Sequence, residues 1–230
     1  MSFNLYKKRK NNFHNFIKRL LLGKGLSERK ILFGRARGIK MYINPDYKFQ
    51  RLIGADEHEI QSLFVNYSKR CTMFFDVGAS DGYYSLLFRK YNTSGPLFVF
   101  DGNPGFKEIQ SKHFALNNTK GYRQFFKFVS NTNDEQQISL DSFDIRNDKV
   151  LIKADVEGRE LNVLRGAVQL LRNNKCFLLV ETHSVQLERD CVDFLLQLGY
   201  HTKIIKNAWW RFFLPERRPL AHNRWLAAWK

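Results

Sequence analysis

From Asp56 onward, short apolar runs alternate with segments of helical periodicity, and this alternation constrains the fold more than any other feature. Such an order builds a mostly parallel sheet with helices on both faces. The spacing predicts strands at 73–77, 97–101, 125–129, 150–155, 177–182 and 201–206, with a last strand at 225–229. It predicts helices at 56–67, 83–90, 104–116, 159–172 and 185–198. Neither an internal repeat nor a low-complexity linker interrupts the order, so one α/β domain over residues 56–230 is expected. Ahead of it, residues 1–55 form a basic extension with an amphipathic helix over 13–21 and short strands at 30–33 and 39–43 around a glycine turn.

Charge separates the ends from the middle. The net +16 is carried by residues 1–51, with 14 basic against 2 acidic side chains, and by 201–230, with 7 against 1; residues 52–200 are close to neutral at −2. Basic termini suit an anionic surface, either phospholipid headgroups at the inner membrane face or nucleic acid, and a solvated, solubilising face explains them equally well. No 18-residue uncharged apolar run occurs, and the N-terminal segment lacks the small-residue site of a secretory signal. The three cysteines, Cys71, Cys176 and Cys191, have no metal-ligand spacing and are expected to be reduced, as in a cytoplasmic protein.

The chemistry is written at the strand ends. In FFDVGASDGYYS (74–85), Asp76 precedes Gly78 and Gly82 where a strand gives way to a helix, the place where open α/β sheets bind ligands. The glycines let the backbone turn tightly and approach a ligand closely. A carboxylate at that point repels phosphate and attracts a cationic amino group, and the Lys-Ser/Thr pair of a P-loop is missing. Asp101, 25 residues on and ending the next strand, can accept hydrogen bonds from both hydroxyls of a ribose. Together they make S-adenosyl-L-methionine the leading ligand.

Two further strands end in chemistry-bearing residues. VLIKADVEGRELNVLRGA (150–167) carries Asp155 and Glu157, and FLLVETH (177–183) carries Glu181 and His183. Carboxylates crowded in a partly dry site raise one another's pKa, and a neighbouring histidine is a candidate general base. The same groups could form an oxygen-rich site for a divalent metal. The structural alternative has Asp155 and Glu157 capping the next helix and Glu181 paired with a lysine or arginine.

These segments resemble the FkbM-type methyltransferases, a family of the class I S-adenosylmethionine-dependent, Rossmann-like fold. DVGASDGYYS is similar to the family's DVGANxGxYS, FVFDGNP to FxFEPNP, LIKADVEGRELNVLRGA to IKIDVEGxExxVLxGA, and LLVETH to LxxExH, a resemblance over residues 56–198. The ending HNRWLAAWK is similar to the family's closing strand. The resemblance implies a seven-stranded sheet and assigns Asp76, Gly78, Gly82 and the backbone of Ala79 and Ser80 to the amino acid end of the cofactor. It assigns Asp101 to the ribose with Asn103 beside it, Ser130 or Asn131 to the adenine side, and Asp155, Glu157, Glu181 and His183 to the acceptor side. His183 would be the base, oriented by Glu181 or Asp155. Two positions depart from the family: Ser80 replaces Asn in the turn, and Gly102 replaces Pro after the ribose acid. O-methylation of a sugar, glycan or natural-product hydroxyl is implied. The competing readings are an RNA methyltransferase that uses the basic termini and a non-catalytic cofactor-binding protein.

Overall fold

The computed structural model describes residues 25–206 and 222–230. Two compact units are present, one ending at Asp56 and the other spanning Glu57–Lys230. The expected helix over 13–21 lies outside the described residues, as does the aromatic segment 207–221.

In the smaller unit, β1 (Ser27–Lys30) pairs antiparallel with β2 (Lys40–Ile43), and a single helical turn, α1 (Phe49–Leu52), follows. The first strand stops three residues earlier than expected. Ile31 closes the hairpin against Ile39 and Gly38, and the Leu32 N–H then leaves the ladder to bond the Leu52 carbonyl.

The larger unit opens with α2 (His58–Arg70) and continues β3 (Met73–Val77), α3 (Tyr83–Tyr91), β4 (Leu97–Phe100), α4 (Lys107–Leu116), β5 (Tyr122–Phe125), β6 (Phe128–Val129) and β7 (Gln137–Ile138). It ends with β8 (Lys149–Ala154), α5 (Glu160–Arg165), α6 (Val168–Asn173), β9 (Lys175–Thr182), α7 (Val185–Gln197), β10 (His201–Ile205) and β11 (Arg224–Trp229). The seven-stranded sheet has the order β10-β11-β9-β8-β3-β4-β5, and only β11 runs antiparallel to its neighbours. The chain winds from β3 outward to β5, then returns to β8 and winds the other way. The order therefore reverses between β3 and β8, and a crevice opens there beyond the strand ends.

Apolar residues on alternate positions of β3 fix both layers. Phe74 meets Phe64 of α2 and Phe88 of α3, at ring separations of 5.2 and 5.0 Å. Phe75 faces the opposite core, shared with Val163 and Leu164 of α5, Leu170 and Leu171 of α6 and Leu195 of α7. Continuous burial of β3, β4 and nearly all of β8 and β9 is what a sheet covered on both faces requires.

Two expected elements are corrected. The strand predicted at 125–129 is displaced: the sheet takes Tyr122–Phe125, and Phe128–Val129 pairs separately with Gln137–Ile138. β5 is an edge strand whose Arg123 and Gln124 alternate with aromatics, so the apolar run FFKFV drew the prediction past it. The helix predicted at 159–172 breaks at Gly166 and Ala167. There the Gly166 carbonyl is diverted to the Asp141 N–H and the Ser139 hydroxyl, and a Cβ at Gly166 would lie 1.9 Å from the Ser130 carbonyl oxygen. Among the described residues no helix is long and apolar enough to cross a membrane, and all three cysteines are buried free thiols.

Candidate active site

The turn after β3 is held by its neighbours. Gly78 and Gly82 have φ of +75° and +83°, and Ser80 also lies in the left-handed region at +49°. A Cβ at Gly78 would stand 1.8 Å from the Asp155 carbonyl oxygen, so this glycine is what lets the β3 turn touch the end of β8. The N–H groups of Gly78 and Ala79 both donate to the Phe100 carbonyl, and that of Ser80 donates to Asp101 Oδ2 at 2.8 Å. From α4, Gln110 donates to the Ser80 carbonyl and His113 Nδ1 lies 2.8 Å from the Asp81 carbonyl. The expectation that the Ala79 and Ser80 backbone donates to a ligand is therefore corrected: those N–H groups are taken up by β4 and Asp101.

Asp76 is fully buried within β3 rather than standing at its tip. Its Oδ2 accepts the Ser85 hydroxyl at 2.6 Å, whereas Oδ1 is buried with no hydrogen-bond partner. Burial pushes its carboxyl up to about 6, against the opposing pull of Lys153 and the Ser85 hydrogen bonds. Asp101 follows β4 and accepts the N–H groups of Ser80 and Asn103; burial raises its pKa as well. Asn103 is exposed and caps the turn at Pro104. Ser130 is buried, and its hydroxyl lies 3.3 Å from Asn131 Oδ1.

Across the reversal point, Asp155, Glu181 and His183 converge, each offering a ligand atom within 4.8 Å of the others. His183 Nε2 lies 3.7 Å from Asp155 Oδ1 and 3.8 Å from Glu181 Oε2, and it is buried without a hydrogen-bond partner. Burial, the Asp155 and Glu57 carboxylates and a hydrogen bond with Asp155 push the Glu181 carboxyl up to about 10. It therefore keeps its proton at neutral pH. Glu157 does not join this cluster; it is exposed at the left-handed turn before α5.

Three participants escaped the sequence reading. Glu160, fully buried in the first turn of α5, holds His183 Nδ1 at 2.6 Å, so it, rather than Asp155 or Glu181, orients the ring. Burial lowers the imidazole pKa, but the Glu160 hydrogen bond and the carboxylates of Glu160, Asp155 and Glu157 outweigh this and leave it raised. Lys153, buried in β8, places its Nζ 3.5 Å from Asp155 Oδ2, between the rings of Tyr84 and Trp225 at 5.0 and 5.6 Å. Its ammonium is stabilised against burial by Asp155, Glu57, Asp76 and Glu181. Glu57, the residue before α2, is the third. Glu160 was visible as the last acid of DVEGRE; Glu57 and Lys153 gave no local signal.

Residues 121–206 match the family model described as the methyltransferase FkbM domain. The chain belongs to the FkbM-type methyltransferases. Its fold is shared with methyltransferase FkbM from Methylobacillus flagellatus KT, at TM-score 0.55 and 15% identity over 78% of this chain and 52% of that one. It is also shared with a SAM-dependent O-methyltransferase from Thermotoga maritima (TM-score 0.53, 13% identity, 83% and 66% of the two chains). A candidate methyltransferase from Streptococcus mutans in complex with SAH gives 0.54 at 8% identity, over 74% and 96%. A comparison with curated proteins finds no match.

This FkbM-type enzyme is an S-adenosylmethionine-dependent methyltransferase, and its own residues fit that cofactor. The polar groups left over at the β3 and β4 ends are acceptors: the orphaned Asp76 Oδ1, and Asp101, each of whose oxygens takes one N–H and retains a lone pair. An acceptor-rich cradle suits an ammonium and ribose hydroxyls and offers no donor array for phosphates.

Proposed function

We propose that this methyltransferase alkylates a hydroxyl of a sugar, glycan or related natural product, with His183 as the general base. The observation that carries the reading is the His183 geometry: Nδ1 is held at 2.6 Å by the buried Glu160 carboxylate, and Nε2 is left without a hydrogen bond among the acids of the acceptor side. When bound, the cofactor supplies an electrophilic methyl group on a sulfonium. The residues of the chain position the acceptor and take its proton. Asp76 Oδ1 and Asp101 orient the cofactor's ammonium and ribose. Glu160 accepts the Nδ1–H, which leaves the lone pair on Nε2 free to take the hydroxyl proton as the new C–O bond forms. Asp155, held by Lys153, stabilises the imidazolium that results, and neutral Glu181 is a hydrogen-bond donor near the acceptor. A histidine whose pKa lies above 6.5 must be deprotonated to act, so turnover should rise with pH on the alkaline side of that value.

A second reading has support from the clustering of Asp155, Glu181 and His183, whose ligand atoms are close enough to share a divalent cation. There the ion, rather than His183, would lower the pKa of the hydroxyl. The experiment for both is methyl transfer from labelled cofactor to fractionated cell extract, with and without EDTA. Label in glycan fractions that resists EDTA and disappears in His183→Ala supports the base reading. Loss on EDTA, restored by Mg²⁺ or Mn²⁺, supports the ion. Label confined to RNA overturns the acceptor class.

A further inference from the structure

Gly102 departs from the family's proline, and the structure shows what occupies the space. A Cβ at Gly102 would stand 2.1, 2.3 and 2.6 Å from Cε1, Cδ1 and Cζ of Phe128, so the aromatic ring rests directly on the Gly102 backbone. The Arg159 guanidinium lies over the same ring, 4.5 Å from its centroid. Arg159 also immediately precedes Glu160, the partner of His183, and Gly102 immediately follows Asp101. Phe128 therefore bridges the cofactor side and the acceptor side of the crevice. It is one of the few large apolar side chains of the larger unit left open, at 39% exposure among the described residues.

A ribose held by Asp101 puts its base within a few ångströms of Gly102, where Phe128 is the aromatic surface in place. We infer that Phe128, braced by Arg159, is the stacking surface for the cofactor's adenine, and that Gly102 is the substitution that makes room for it. Stacking of a base on an aromatic ring tolerates a cation on the ring's other side and needs no polar contact to the base edge. The inference rests on the methyltransferase reading and adds a coupled pair, Gly102 and Phe128: a side chain at either position is compatible with the fold only if the other is small.

The test is calorimetric binding of SAH and of 5′-methylthioadenosine, which has the adenine and ribose but no amino acid end. Phe128→Ala should weaken both ligands by the same factor, about tenfold, whereas Phe128→Tyr should retain affinity. Gly102→Ala should weaken both, and adding Phe128→Ala to it should cost nothing further. Unchanged affinity in Phe128→Ala, or a loss for SAH alone, would overturn the inference while leaving the methyltransferase reading intact. Absence of SAH binding by the unmodified protein would remove both. Thermal unfolding of each variant separates a lost stacking surface from a lost fold, and an affinity loss matched by collapse of the unfolding transition in Phe128→Tyr as well as Phe128→Ala would also count against it.

Discussion

The two sides of the crevice solve opposite problems with the same residue type. On the cofactor side, Asp76 and Asp101 are satisfied by fixed donors: the Ser85 hydroxyl and the N–H groups of Ser80 and Asn103. On the acceptor side, Asp155 and Glu181 face each other and His183, with Lys153 as the buried cation. The first arrangement is preorganised to bind. The second is poised to exchange a proton, because closely spaced acids in a dry site cannot all ionise. The shared wall is Gly78, where the two turns touch.

That contact is the most sensitive point. Gly78→Ala introduces a Cβ 1.8 Å from the Asp155 carbonyl oxygen at a φ of +75°, which must displace one turn or the other. A destabilisation of roughly 3 kcal/mol or more is expected in denaturant unfolding; an unchanged midpoint would show that the two sides are not mechanically joined. Next in size is the cost of burying Asp76. Its pKa of about 6 in the folded chain, against 3.8 ordinarily, means that a stabilising contribution is present below pH 3.8 and lost as pH rises through 6. The difference is roughly 3 kcal/mol at most. Asp76→Asn should flatten this part of the pH–stability curve while weakening SAH binding.

Glu160→Gln tests the acceptor side alone. Loss of the carboxylate that holds Nδ1 should lower kcat about 100-fold, shift the acid limb of the pH profile downward and leave the Kd for SAH unchanged. A matching loss of SAH affinity would mean that the two sides do not divide the work as described. The smallest effect is expected at Glu157, which is exposed and outside the cluster: Glu157→Gln should change kcat by no more than about threefold, and a larger loss would bring it back into the acceptor site.

The cofactor side was the more legible half because its determinants are local. Asp76, Gly78 and Gly82 lie within seven residues of one another, and the strand–turn–helix pattern around them reads directly from hydrophobicity and glycine. The sequence could not show that Asp76 is interior or that Asp101 holds the Ser80 N–H, since both follow from how β4 sits beside β3. On the acceptor side Asp155, Glu181 and His183 were legible as strand-end residues. Which acid orients the imidazole depended on the entry of α5, and that entry turns through Glu157 and Gly158 at positive φ before burying Glu160. The break at Gly166 and the short edge strand β5 were hidden for a similar reason: each is set by a tertiary hydrogen bond or a sheet register that overrides the local pattern.

The division of labour is tested most directly by measuring SAH affinity and methyl transfer side by side in His183→Ala and Asp101→Ala. The expected result is a His183→Ala enzyme that binds SAH as tightly as the unmodified protein but transfers methyl groups at least about 100-fold more slowly, and an Asp101→Ala enzyme that loses SAH binding. Undiminished transfer by His183→Ala, or SAH binding unaffected by Asp101→Ala, would contradict the account.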